Sequence, residues 1–304
     1  WLFERMTALA REITRVLVVE FSPEEVLRRL SDPFWFQAFG CLLGFDWHSS
    51  GLTTTVCGAL KEGLRGLEKE TGIFVAGGKG RTSRNTPQEI EGHCNRIAVE
   101  PAPLIYASRM AAKVDSSALQ DNYQLYHHTF VFIPQGEWCV IQQGMNSATR
   151  YARRYHWLSE GVKDFCCEPH SAICCDARGQ VLNMVAQESQ GARDSVAALA
   201  RAEPARVIAE ANRIAELDLP QRHHITAADL NTQRLHKVLL RTYEQGPQTF
   251  EGVLGTPGVG PKTIRALSLM AELIYGEQPS FQDPARFSFA HGGKDGHPYP
   301  VDRE

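Results

Sequence analysis

The 304 residues are 43% hydrophobic and 22% charged, which is enough core-forming material for one large or two ordinary domains and excludes a disordered chain. Thirty-two Lys and Arg stand against 35 Asp and Glu, a net charge of −3, so the chain is no polybasic binder and any cationic surface must be local. No apolar run reaches the length of a membrane span, no leader pattern is visible, and eight cysteines are too few for a disulfide scaffold; together these predict a cytoplasmic protein with no membrane contact. The start at Trp1 and the stop at Glu304 read as the interior of a longer chain.

In chain order, Trp1 to Val18, Pro23 to Leu30 and Thr54 to Leu67 space their apolar residues as helices do. Gly77 to Arg84 reads as a flexible basic loop. Leu104 to Arg109, His128 to Ile133 and Trp138 to Gln142 are short, β-branched or aromatic, and bounded by Gly and Pro, so they read as strands. Pro134-Gln135-Gly136 joins the last two as a hairpin, and Val181 to Val185 supplies a further strand. Beyond about residue 190 the pattern is helical, over Asp194 to Leu217, Leu235 to Tyr243 and Thr249 to Leu254, with Thr226-Ala227-Ala228-Asp229 as a capping box. The composition shift at Gln187 to Arg193 divides the chain into a mixed α/β domain, 1–187, and a helical domain, 188–304. The fold class is α+β.

Two segments concentrate chemistry-bearing residues. Cys166-Cys167-Glu168-Pro169-His170-Ser171-Ala172-Ile173-Cys174-Cys175 lacks the two-residue spacer of zinc sites and reads as buried reduced thiols rather than a metal centre. Gly255-Thr256-Pro257-Gly258-Val259-Gly260-Pro261-Lys262-Thr263, followed by a helical run, reads as a helix-hairpin-helix element. Its glycines permit close backbone approach, and the amides opening the next helix suit a phosphate. Pro257, Gly258, Val259, Gly260 and Thr263 are therefore candidate DNA contacts.

This hairpin resembles that of the helix-hairpin-helix DNA glycosylase superfamily, whose lyase-competent members end the pattern in a catalytic lysine; Lys262 takes that place here. The resemblance covers the last quarter of the chain. It implies a DNA-repair enzyme, a base-excision glycosylase with AP lyase activity. Lys262 would form a Schiff base with the sugar, and an aspartate beyond the helix would assist. Asp302, in Val301-Asp302, is the first candidate for that aspartate; it lies 40 residues after Lys262, a longer gap than most of the superfamily uses, and Asp295 and Asp283 compete. Along its whole length the chain resembles an uncharacterised archaeal and bacterial family, through Asp32 to Gly40, Phe45 to Gly51 and Gln142 to Asn146.

Arg150, Arg153 and Arg154 interleave with aromatics in Arg150 to Trp157, as in single-strand binders, and are expected on DNA. Trp47, Trp138, Gln142 and Gln143 are lesion-pocket candidates by residue type. No cofactor or metal is required by this reading. The alternatives are a metal-dependent nuclease using groups such as Asp46, His48, Glu137, Glu168 and His170, with the hairpin as a tether, and a non-catalytic DNA-binding adaptor.

Overall fold

A computed structural model describes residues 2–45, 49, 51–215 and 232–288. Five antiparallel strands form its centre: β1 (Phe74–Lys79), β3 (Gln124–Phe132), β4 (Trp138–Met145), β5 (Ala152–Leu158) and β6 (His170–Cys174), paired in that order. Two short strands, β2 (Leu119–Gln120) and β7 (Leu182–Asn183), pair separately. The architecture is α+β, with helices against both sheet faces.

The first four helices cover one face: α1 (Leu2–Glu20), α2 (Pro23–Ser31), α3 (Pro33–Leu42) and α4 (Gly51–Gly63). The starts of α2 and α3 are written in the sequence. Ser22 accepts a hydrogen bond from Glu25 N ahead of α2, Asp32 accepts from Phe34 N and Trp35 N ahead of α3, and a proline opens each helix. Met6, Leu27, Phe36, Val56 and Leu60 then meet Val75, Val131, Ile133, Cys139 and Ile141 of the sheet.

The short α5 (Glu68–Thr71) precedes β1. The opposite face carries α6 (Thr86–Ile97), α7 (Ala102–Lys113), α8 (Gln190–Arg201), α9 (Pro204–Ala215), α10 (Thr232–Gln245), α11 (Phe250–Gly255) and α12 (Pro261–Tyr275). Its core runs without interruption from Phe74 to Ala285, so the helical segment packs directly on the sheet.

Three local expectations change. Leu104 to Arg109 is not a strand but the middle of α7, where Leu104, Ala107, Ser108 and Ala111 turn one face inward at helical spacing. Ile105 and Tyr106 favoured an extended reading only within a six-residue window. Gly77 to Arg84 is the end of β1 followed by a 3-10 turn over Gly80–Asn85 rather than an open loop. The Asp194 to Leu217 helix divides into α8 and α9 where Pro204 begins the second. The capping box at Thr226 lies outside the described residues.

Candidate functional site

A turn over 256–260 joins α11 to α12 at the segment expected to be the hairpin. Thr249 caps α11 by accepting from Gly252 N, and Gly258 takes φ +96°, a left-handed value that favours glycine. Val259 and Ile264 are buried and anchor the turn in the core, whereas Pro257, Gly258 and Lys262 are exposed. Side chains hold three carbonyls of the turn and of the start of α12: Pro257 O accepts from Arg241, Val259 O from Lys113 Nζ, and Pro261 O from Gln120 Nε2. Gly260 opens α12 without a side-chain cap. Lys113 and Arg241 are thus engaged on the carbonyls of the turn, while Lys262 is exposed at the start of α12. Burial pushes the Lys113 ammonium below the ordinary lysine range. Thr263 is mostly buried.

Arg153 and Arg154 are corrected. Both sit in β5 at 1% exposure, where no phosphate can reach them. Arg153 pairs with Asp121 at 3.0 Å and Asp283 at 2.7 Å and lies over the Tyr123 ring. Arg154, on the opposite face, donates to His156 Nε2 and Gln37 Oε1 and covers Phe36. Adjacent strand residues point to opposite faces, and here helices cover both. Arg150 alone of the three is exposed.

Trp138 is likewise a core residue, stacked between Phe130 and Phe165, and not a pocket wall. Gln143 is buried and donates to Tyr126 Oη. Asp283 is held by Arg153 and Gly179 N, so the aspartate that competes with Asp302 has a structural place. Trp47, Asp46, His48, Asp295 and Asp302 lie outside the described residues. Of the nuclease candidates, Glu137 borders the β3–β4 turn, Glu168 is exposed and His170 bonds Asp115; they are not gathered. The described residues that do converge with metal-ligand chemistry are Asp164, Cys166 and Glu251. Burial pushes the Cys166 thiol well up, and Tyr106 Oη already donates to Glu251. No disulfide joins the cysteines, of which Cys166, Cys174 and Cys175 are buried in the expected cluster.

Gln142 does reach a cavity. A cleft of about 260 Å³ opens between α7, the 3-10 turn after β1 and the ends of β3 and β4, lined by Arg84, Ser108, Arg109, Tyr126, His128 and Gln142 among others. Gly77 packs against two of the lining residues: its φ is +91°, and a Cβ there would collide with the His128 carbonyl and the Thr86 hydroxyl. Lys61 and Glu89 fix that glycine from either side, through its carbonyl and its amide.

A buried polar relay runs from this cleft. Ser108 Oγ lies 2.9 Å from His128 Nε2, and His128 Nδ1 lies 2.8 Å from Gln142 Oε1. Gln142 Nε2 donates to Asp115 Oδ2 at 2.5 Å and to the Ala111 carbonyl. Asp115 also receives Trp157 Nε1 at 3.0 Å and His170 Nε2 at 2.5 Å. The Ala111 carbonyl fixes the directions, because it can only accept. Gln142 therefore turns its amide nitrogen toward it and its oxygen toward His128, Nδ1 carries the proton, and Nε2 accepts from Ser108. Asp115 sits on a π-helical turn, Val114–Ala118, that prolongs α7. Burial pushes His128 below the usual histidine range, opposed by Gln142 and Asp115, and pushes His127 down to about 3. Ser108, His128 and Asp115 escaped the sequence reading; only the pairing of His128 with Gln142 across the hairpin could have been counted from its turn.

The comparisons agree with the whole-length resemblance. A family profile described as "Protein of unknown function (DUF763)" matches residues 1–301. The chain belongs to this family. No curated protein and no solved structure matches it. Among the described residues no helix is long and apolar enough to cross a membrane.

Proposed function

We propose that this DUF763 chain is a DNA-binding base-excision enzyme that grips the phosphate backbone with its α11–α12 hairpin and nicks the strand through a Schiff base on Lys262. The observation that carries the reading is the polarity of the turn. Its carbonyls are taken by Arg241, Lys113 and Gln120, and Lys262 stands exposed on the first turn of α12. Such an end attracts an anion and places an amine within reach of the sugar beside it.

The deoxyribose C1′ would be attacked by the lysine amine, and β-elimination would break the strand without a metal. Asp302 remains the proposed proton acceptor. Arg150 is an outlying candidate contact; Arg153 and Arg154 contribute only through the fold. DNA affinity should fall linearly with the logarithm of salt concentration, and Lys262→Gln should reduce that slope by about one. Cleavage of an abasic oligonucleotide should persist in EDTA and disappear in Lys262→Gln. Metal-dependent cutting that survives Lys262→Gln would favour the nuclease, and binding without cutting the adaptor.

A further inference from the structure

We propose that the cleft beside α7 is a second reactive site, in which Ser108 is a nucleophile and His128 its base, acting on an anionic phosphodiester. It is separate from the Lys262 chemistry and shares no residue with it.

The geometry has the parts that activate a serine. The hydroxyl of Ser108 meets the unprotonated nitrogen of His128, whose other nitrogen is held by Gln142. Gln142 is itself fixed by Asp115 and Ala111 O. This is a nucleophile, a base and an orienting amide in sequence, with a carboxyl group behind them. The mid-helix position of Ser108 makes the arrangement informative, because such a hydroxyl ordinarily returns to the carbonyl one turn earlier in its own helix. Here it is directed across the cleft to a strand. His128 is kept neutral by burial, the state a base requires, and Asp115 favours the imidazolium that forms when it accepts a proton.

Arg84 and Arg109 set the substrate class. Both line the cleft and are exposed, so a phosphate bearing negative charge can enter between guanidinium groups. In the first step Ser108 Oγ bonds to phosphorus while its proton passes to His128 Nε2. The bond from phosphorus to the leaving oxygen breaks, and that oxygen takes the proton from Nε2. In the second step Nε2 removes a proton from water, whose oxygen bonds to phosphorus; the bond to Ser108 breaks, and its oxygen recovers the proton. One water is consumed, and a phosphodiester becomes a phosphomonoester and an alcohol. Gln142 and Asp115 are positioning residues in this scheme.

An uncharged alkyl fluorophosphonate tests the nucleophile directly, because attack displaces fluoride and leaves a stable phosphonate ester on the serine. Intact-protein and peptide mass spectrometry should find one adduct on Ser108, absent in Ser108→Ala and retained in Ser116→Ala, an exposed serine beyond α7. Bis(p-nitrophenyl) phosphate should release nitrophenolate in EDTA, with kcat lowered at least about 100-fold in His128→Gln. Arg109→Ala, at an exposed position that the fold does not need, should raise KM for the diester and leave fluorophosphonate labelling intact. An intact oligonucleotide run in parallel separates a nucleic-acid diester, also cut, from a small-molecule diester, cut alone. No Ser108 adduct on the folded wild type, or diester turnover unchanged in Ser108→Ala, would overturn the proposal.

Discussion

Replacing Arg153 with Met separates a structural arginine from a DNA contact. Arg153 is 1% exposed; its guanidinium holds Asp121 at 3.0 Å and Asp283 at 2.7 Å, and so ties the segment after α12 to the sheet. Methionine preserves part of the packing over Tyr123 but leaves Asp121 buried without its cation. Breaking a buried pair by removing one partner costs about 3–5 kcal/mol. For a chain of this size 1 kcal/mol moves the melting temperature by about 2 °C, so a fall of about 6–10 °C is expected.

The deficit should depend on pH. Burial pushes the Asp121 carboxyl up while Arg153 pulls it down, and the net position is raised. An acid that holds its proton to higher pH when folded favours the folded state at low pH, and that contribution is lost as the pH rises through its folded pKa. Without Arg153 that pKa rises further, so the deficit should shrink as the pH falls toward about 4, the ordinary Asp range. Circular-dichroism melts across pH, with DNA binding measured at a temperature where both proteins are folded, give the comparison. A melt within about 2 °C of wild type together with weakened DNA binding would refute the buried placement and restore Arg153 as a surface contact.

Four further outcomes are expected. Burial pushes His127, His128 and His156 below the usual histidine range, so their stability contribution is present above about pH 6.5 and is lost as the pH falls through it, at up to about 4 kcal/mol per pH unit for three protons; urea titrations that give a flat stability from about pH 7 to 5 would contradict this. Gly77→Ala should cost about 1–3 kcal/mol from backbone strain alone and should disturb the His128 wall, as read by chemical denaturation and histidine NMR shifts. At the hairpin, Gly258→Ala should cost about 1–2 kcal/mol because its φ is +96°. Gly260→Ala, at an extended φ of −150° and facing open space, should stay within about 0.5 kcal/mol in stability yet weaken DNA binding, because the methyl group obstructs the phosphate.

Local signals carried much of the fold. The spacing of Pro23 to Leu30 gives α2, and Pro134-Gln135-Gly136 fixes a hairpin from which His128 opposite Gln142 follows by counting, whereas α3 behind Asp32-Pro33 was not read. α7 was misread because one turn of it holds Ile105 and Tyr106, while its buried positions become periodic only over its whole length. Arg153 and Arg154 were misread for a different reason: charge beside aromatic rings looks solvent-facing, and only the tertiary placement of Asp121, Asp283 and Gln37 shows that the sheet has no open face there. The cleft was not legible. Ser108 and Asp115 lie on α7 and its π-helical extension, His128 and His170 on two separate strands; they form no motif, and their chemistry exists only once α7 is laid across the strands.

The central claim is that the hairpin lysine reacts with the sugar. Borohydride trapping on an abasic duplex in EDTA tests it most directly. The account predicts a covalent protein–DNA adduct on wild type, mapped to Lys262 and absent in Lys262→Gln. An adduct that persists in that variant and disappears in Lys113→Gln, or no adduct on folded, DNA-bound wild type, would contradict it.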